Sequence, residues 1–451
     1  MPAVVTLSVV RLGRHASIPE SGPSANNMRK DKAATLDLPT ADERPADAAV
    51  RERVSALDRW LARKILESLG TPPLALKLWN GEEVRAGDRP PVTRAHIRNR
   101  AAFYQLLLNP GLHFGDLYSL GRIEVDGDLV HFLETTYYGV RTPDNSSWLK
   151  QVHRWIHRRP RANTLAGSRS HINHHYDIGN SFYELWLDRE MQYTCAYYPD
   201  TGMRLEQAQL AKLEHVCRKL RLKPGDRVVE AGCGWGGLAR YMARRYGVHV
   251  RAFNISHQQI AYARERAKAE GLAGHIEYVE DDYRNISGEY DAFVSVGMLE
   301  HVGREQYRDL GHVIHRALTP NGRGLIHSIG RNQPELMNEW IEKRIFPGAY
   351  PPTVGEMAVI FEPHGFSIQD VENLRLHYVK TLTHWLARFD ANIARVESMF
   401  DNNFVRAWRL YLAGSIAAFT TGSLQLFQVA FTRGRNNALP WSRAELYQNR
   451  F

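Results

Sequence analysis

The sequence predicts an α/β protein built on a parallel sheet with helices on both faces, and three observations predict it. Apolar, β-branched runs alternate with helical stretches from about residue 226 onward, the signature of successive β-α-β units. Val228-Val229-Glu230-Ala231-Gly232-Cys233-Gly234-Trp235-Gly236-Gly237-Leu238 reads as strand, tight turn and helix. The polar motifs fall at the carboxyl ends of the predicted strands, where such sheets hold their ligands.

The elements follow in order. A helix over 205–213 leads to Lys223-Pro224-Gly225-Asp226 and the first strand, which ends in Glu230. Glycine at Gly232 and Gly234 lets the backbone turn sharply and approach a ligand where a Cβ would clash. The helix from Leu238 points its free N–H groups into the same space. Residues 248–255 form a second strand and 258–269 a second helix; 276–279 form a third strand running into Asp281-Asp282-Tyr283. Strands at 290–296 and 324–329 follow, and 424–431 reads as a final strand.

Ahead of this sheet, residues 1–49 are rich in Ser, Pro, Asp, Arg and Ala and are predicted to be a disordered tail. Residues 50–145 read as a small α+β domain. Val54, Leu57, Trp60, Leu61, Ile65 and Leu66 recur at helical spacing. A strand at 74–79 turns at Asn80-Gly81, and a helix over 101–108 is stopped by Asn109-Pro110-Gly111. A basic, aromatic linker spans 146–170, with Lys150, Arg154, Trp155, Arg158, Arg159, Arg161 and Arg169. It is either a solvated linker or a headgroup patch, each cation giving about 1 kcal/mol beside an anionic bilayer. Residues 171–440 are expected to form a second domain around the parallel sheet, the candidate catalytic domain.

A chain of 451 residues is too long for one ordinary core, and 43% hydrophobic with 24% charged residues is a globular composition. The net charge of +9 favours an acidic partner, nucleic acid or an anionic membrane. Basicity alone does not choose between them; none of the usual nucleic-acid-binding modules is visible, and a membrane surface is the expected partner. Cys195, Cys217 and Cys233 have no metal-ligand spacing and cannot all pair, so a reducing cytoplasm and no metal are expected. The apolar opening, residues 2–10, lacks a basic region and a cleavage site, and no run reaches the ~18 apolar residues that span a bilayer. The expected location is cytoplasmic, held peripherally on the inner face of the membrane.

Gly232-x-Gly234-x-x-Gly237 satisfies the glycines of a dinucleotide site, but the second strand closes on Asn254 where such a site wants a carboxylate. Glu230 stands instead where methyltransferases hold the amino-acid end of their cofactor. Further motifs follow the same order along the chain: His175-Tyr176-Asp177-Ile178-Gly179-Asn180, Met191-Gln192-Tyr193-Thr194-Cys195-Ala196-Tyr197-Tyr198, Ser295-Val296-Gly297-Met298-Leu299-Glu300-His301-Val302-Gly303 and Ile345-Phe346-Pro347-Gly348. With the glycine turn, they resemble the cyclopropane-fatty-acyl-phospholipid synthases and the related mycolic acid cyclopropane synthases over about residues 80–435.

The resemblance implies a class I S-adenosylmethionine-dependent methyltransferase sheet, Rossmann-like, with a smaller N-terminal lipid-associated domain. It implies S-adenosyl-L-methionine as methyl donor, bicarbonate as bound base, and unsaturated phospholipids as substrate. Tyr193, Thr194, Gly232, Gly234 and Gln259 match positions that line the cofactor, and Asp282 and Tyr283 match its adenine end. Cys195, Glu300, His327, the backbone of Ile329 and Tyr378 match the positions that hold bicarbonate. The N-terminal tail is extra, and Asn254 stands where relatives usually have Thr, which leaves ribose contacts open.

The implied reaction transfers a methylene to a cis double bond. The π electrons attack the methyl carbon, a carbocation forms on the chain, and loss of a proton closes the cyclopropane. Tyr and Trp faces stabilise such a cation by about 0.5–2 kcal/mol each. Taken singly, Cys195, Glu300, His327 and Tyr378 each have a packing explanation; their joint occurrence with the cofactor motifs argues against it. Helical stretches carrying Leu382, Trp385, Leu386 and Phe389, then Trp408, Leu410, Tyr411 and Ile416, are ordinary core or the walls of an acyl tunnel. Competing readings are a methyl- or methylene-branching relative, a small-molecule or RNA methyltransferase, and a non-enzymatic lipid-binding protein. A homodimer stays open.

Overall fold

The computed structural model describes residues 53–140 and 178–447, together with Leu36 and Leu38. The linker at 146–170 and the His175-Tyr176-Asp177 part of the motif above lie outside the described residues, as does the tail apart from those two leucines. Leu36 is buried in the core and Leu38 packs against it, so these two apolar residues depart from a wholly disordered tail.

The first unit is a four-stranded sheet with strands β1 (Leu74–Lys77), β2 (Glu83–Val84), β3 (Thr93–Ile97) and β4 (Ile123–Asp126), in the order β2-β1-β3-β4. Only the β1–β3 pair is parallel. Helix Ala56–Ser68 begins at a reciprocal cap between Ser55 and Asp58, and the buried Asp58 also accepts from the Tyr104 hydroxyl at 2.9 Å. Helix Arg100–Leu108 does stop at Asn109, but the chain does not leave the helical path. The Asn109 side chain accepts from Leu112 N and Pro110 opens a second helix, Pro110–Ser119. Proline at the first helical position costs no hydrogen bond, so the same residues end one helix and start the next.

The second unit is a seven-stranded sheet: β5 (Arg227–Ala231), β6 (His249–Asn254), β7 (Ile276–Glu280), β8 (Tyr290–Val296), β9 (Leu318–Gly330), β10 (Phe366–Asn373) and β11 (Gln425–Arg433), in the order β10-β11-β9-β8-β5-β6-β7. Helices Leu205–Leu220, Gly237–Tyr246 and His257–Ala269 cover one face through residues such as Val216, Met242 and Ile260. Helices Tyr307–Ala317 and Val354–Phe361 cover the other through Tyr307, Ile314 and Phe361.

The expected parallel sheet needs one correction. β11 lies between β9 and β10 and runs antiparallel to both, while β5 to β9 are parallel. β10 is absent from the sequence reading because it is an edge strand. Ile368 and Val371 are exposed and the register shifts between Ile368 and Asp370, which breaks the apolar alternation.

The two units share a core. Arg406, on helix Asn402–Thr420, donates to the carbonyls of Tyr118 (2.7 Å) and Ile123 (3.1 Å), and its guanidinium lies 4.4 Å over the Tyr118 ring. Arg344 grips both oxygens of Asp116, at 3.0 and 2.9 Å. Gly115 lies so close to the Trp340 indole that a Cβ would collide with it. No helix among the described residues is long and apolar enough to cross a membrane.

Candidate active site

The site begins where β5 stops. Gly232 takes φ +82°, and a Cβ there would sit 2.9 Å from Met298, which follows β8; the turn is therefore confined to glycine by conformation and by space. Asn254, at the end of β6, ties this turn to the next helix. Its amide donates to Gly234 O (3.3 Å) and to Gln259 Oε1 (2.7 Å), so the substituted position braces the cradle. The Trp235 indole donates to Asn180 at 2.8 Å, joining the turn to the 178–198 segment.

That segment is held from behind by helix Leu205–Leu220. Gln209 donates to the carbonyls of Gln192 (3.3 Å) and Thr194 (2.9 Å). The Lys212 ammonium donates to Thr194 Oγ1 at 2.9 Å and to Gln192 Oε1. Tyr193 is thereby set among Tyr183, Trp186 and Trp385, with ring centroids 5.2–5.4 Å away, and its hydroxyl meets that of Tyr411 at 2.8 Å.

The second cluster gathers beside it at the ends of β8 and β9. Glu300 sits in a 3₁₀ turn, Leu299–His301, and its Oε1 accepts from Ile329 N at 2.6 Å. His327 is two residues earlier on β9, its carbonyl receives Gly297 N at 2.9 Å, and its Nδ1 faces the Gln428 amide on β11 at 3.0 Å. A Cβ on Gly297 would meet Thr194 Cγ2 at 3.0 Å, which brings the 178–198 segment against this cluster. Cys195 is buried and donates to Ala196 O at 3.1 Å, and Ala196 N in turn donates to Thr381 Oγ1 at 3.0 Å. Tyr378 lies one turn before Thr381 on helix Arg375–Ala391, packed on Phe419 with centroids 4.7 Å apart.

Asp282 and Tyr283 lie across the glycine turn from that cluster, at the end of β7. Asp282 accepts from Arg284 N at 3.0 Å and pairs with its guanidinium, while the buried Tyr283 hydroxyl has no hydrogen-bond partner among the described residues. The structure brings Glu300, His327 and Ile329 together at the ends of β8 and β9, while Cys195 lies on the 178–198 segment and Tyr378 packs on Phe419 and Trp385. It sets Gln259, Asp282 and Tyr283 on the β6–β7 side, with Glu230, Gly232 and Gly234 between the two sides.

A family model described as mycolic acid cyclopropane synthetase matches residues 164–429. The chain belongs to this family. A second model, for a domain of unknown function, matches residues 61–142. A probable fatty acid methyltransferase of Pseudomonas putida is 34% identical over 83% of this chain and 96% of its own length. The cyclopropane-fatty-acyl-phospholipid synthase of Escherichia coli K12 is 43% identical over 60% of this chain and 69% of its own. A crystal structure of a mycolic acid cyclopropane synthase complexed with SAH and CTAB superposes with a TM-score of 0.56 at 27% identity, covering 58% of this chain and 98% of that one. The cyclopropane synthetase family makes the chain an S-adenosylmethionine-dependent methyltransferase.

The electrostatics of this family member fit that cofactor. Glu230 is buried, its Oε2 has no hydrogen-bond partner among the described residues, and burial pushes its carboxyl up to about 8. Such an oxygen suits the cofactor's ammonium. Lys212 is buried too, and burial pulls it down to about 8 against the pull of Asp188. Glu300 Oε2 and His327 Nε2 are likewise buried and unpartnered among the described residues. Burial raises Glu300 to about 7 and lowers His327 to about 3, with Lys212 and Lys219 adding to the latter. Burial raises the Cys195 thiol as well, so it stays protonated and is no thiolate nucleophile.

Sequence reasoning passed over Lys212, Gln209 and Gln428. The available signal was polar residues spaced three apart on the packed side of one helix, and a glutamine inside the wholly apolar run of β11.

Proposed function

We propose that the chain transfers a methylene from S-adenosylmethionine to the cis double bond of an unsaturated phospholipid acyl chain, closing a cyclopropane ring with a bound bicarbonate as base. The observation that carries this reading is the pair of unpartnered buried atoms, Glu300 Oε2 and His327 Nε2, beside the glycine turn. The cofactor supplies an electrophilic methyl group. Gly232 and Gly234 bring the backbone close to it, Glu230 receives its ammonium, and Gln259, Asp282 and Tyr283 bound its adenosine end. The chain's remaining task is to hold a small anion where a proton must be taken up. At a pKa near 7 Glu300 is substantially protonated, and its carboxyl can donate from Oε2 while Oε1 stays on Ile329 N. A neutral His327, Tyr378 and a protonated Cys195 complete a site without a fixed negative charge to repel the anion. Trp186, Trp385 and Trp408 form the buried aromatic backing of Tyr193, so the groups behind the site are rings and not carboxylates.

The phospholipid substrate rests on the name of the Escherichia coli relative and on the charge of +9. Leu57 and Trp60 stand more than half exposed on helix Ala56–Ser68 beside Arg63 and Lys64, which suits peripheral docking of residues 50–145 on an anionic cytoplasmic leaflet. A second reading, a methyl or methylene branch on the same acyl chain, is favoured by the fatty acid methyltransferase of Pseudomonas putida, which matches over almost its whole length. Lipid mass spectrometry after incubation with unsaturated phospholipid vesicles and labelled cofactor separates the two. A mass gain of one methylene with loss of unsaturation supports the ring; the same gain with unsaturation retained assigns the methylene branch, and a gain of one methylene plus two hydrogens, which needs an added reductant, assigns the methyl branch.

The cofactor contact has its own test. A cation against Glu230 favours the ionised carboxylate, and the apo carboxyl holds its proton up to about 8. Affinity for S-adenosylmethionine therefore strengthens as pH rises toward about 8, and loss of the Lys212 proton over the same range acts in the same direction. Calorimetry at several pH values reads this as proton release on binding. Glu230→Gln weakens binding and flattens the profile; an unchanged slope removes Glu230 from the cofactor contact.

A further inference from the structure

The antiparallel register of β9 and β11 sets Gln428 directly opposite His327, and both side chains are buried. The Gln428 amide nitrogen lies 3.0 Å from His327 Nδ1, while His327 Nε2 has no partner among the described residues. A neutral imidazole carries one N–H, and the ring nitrogen that receives a donor must be the one without it.

We propose that Gln428 is a positioning residue that fixes the tautomer of His327, by donating to Nδ1 and so placing the proton on Nε2, where it is aimed as a donor into the anion site. The inference rests on the bicarbonate reading for its consequence, though not for its geometry. The groups facing His327 from the packed elements agree with a neutral ring. Lys212, Lys219 and His215 lie on helix Leu205–Leu220, Glu372 on β10 is already engaged by His215 (2.7 Å) and Lys219 (2.6 Å), and Glu300 Oε1 accepts from Ile329 N at 2.6 Å. Nδ1 faces the Gln428 amide and not a carboxylate. A carboxylate in place of Gln428 would do the reverse: it can only accept, so it would demand Nδ1–H and turn Nε2 into an acceptor that repels an anion.

The resting enzyme tests this before any turnover. Nitrogen-15 NMR of histidine-labelled protein, with His327 assigned by difference against His327→Gln, is expected to show the Nε2–H tautomer. An Nδ1–H signal overturns the proposal, and this measurement needs no Gln428 variant. Gln428→Glu is expected to move the signal to Nδ1–H or to imidazolium and to cut turnover about 10- to 100-fold, with the KM for S-adenosylmethionine unchanged. Gln428→Met, of similar volume and without a donor, is expected to give a mixed tautomer and an intermediate rate. A variant series with altered rates and an unchanged Nε2–H tautomer means that Gln428 only packs, and overturns the proposal. If the Nε2–H tautomer is found but His327→Gln turns over at the wild-type rate, the bicarbonate reading fails and the tautomer assignment stands.

Discussion

Replacing Glu300 with alanine is expected to cut turnover by about 10²- to 10⁴-fold, the range of a positioned acid–base group, while S-adenosylmethionine still binds. The side chain has two separate duties. Oε1 receives Ile329 N at 2.6 Å, which pins the end of β9, and Oε2 is buried with no hydrogen-bond partner among the described residues. Alanine removes both and leaves the Ile329 N–H unpaired at the site. Glu300→Gln keeps the shape and a donor that cannot ionise. It is expected to retain more activity and to lose the decline that the wild type shows as pH rises through the range where Glu300, with a pKa near 7, gives up its proton. Product formation on vesicles and calorimetric binding check this together. Wild-type turnover in the alanine variant would dismiss the base site, and weakened cofactor binding alone would move Glu300 to the cofactor's side of the site.

The second large effect falls on stability. Trp408→Ala is expected to destabilise the protein by about 3–5 kcal/mol, read as a lower urea midpoint. Trp408 is fully buried at the centre of an aromatic cluster, with ring centroids 4.9 Å from Phe182, 5.3 Å from Tyr411 and 5.6 Å from Phe404. The edge-to-face partners Phe182 and Tyr411 cannot collapse into the void without losing their own neighbours. Tyr411 also hydrogen-bonds Tyr193, so the same substitution is expected to raise the KM for the cofactor. Trp408→Phe fills most of the space and recovers most of the loss. A midpoint unchanged by alanine would show that the cluster relaxes freely.

Much of this was legible in the sequence because period and punctuation agreed. β5 through β9 follow from apolar runs separated by helical ones, and the turn at Gly232 follows from glycines packed into six positions. The antiparallel insertion of β11 was not legible. The strand's pattern, QLFQVAFTR, states that it is buried on both faces but carries no sign of direction. Lys212 escaped for a related reason. A lysine in a helix that also carries Arg218 and Lys219 reads as solvated, and only the tertiary packing shows it buried against Thr194. Gln428 was hidden because its partner, His327, is fixed by strand pairing and not by nearness in the chain. Asn254, noted as a departure from the family pattern, takes on a role of its own as the brace between Gly234 and Gln259.

The placement of β11 has a consequence for biosynthesis. Gln428 lies 101 residues after the histidine it faces, and β11 must slide between β9 and β10 to reach it. A ribosome delivers the glycine turn, Glu300 and His327 long before it delivers that strand. Until then the side of His327 that Gln428 covers has no strand against it. Pairing across such a separation is slow because loop closure precedes any reward from contact. Competence therefore waits on the delivery of β11, and truncation before Gln428 is expected to abolish turnover.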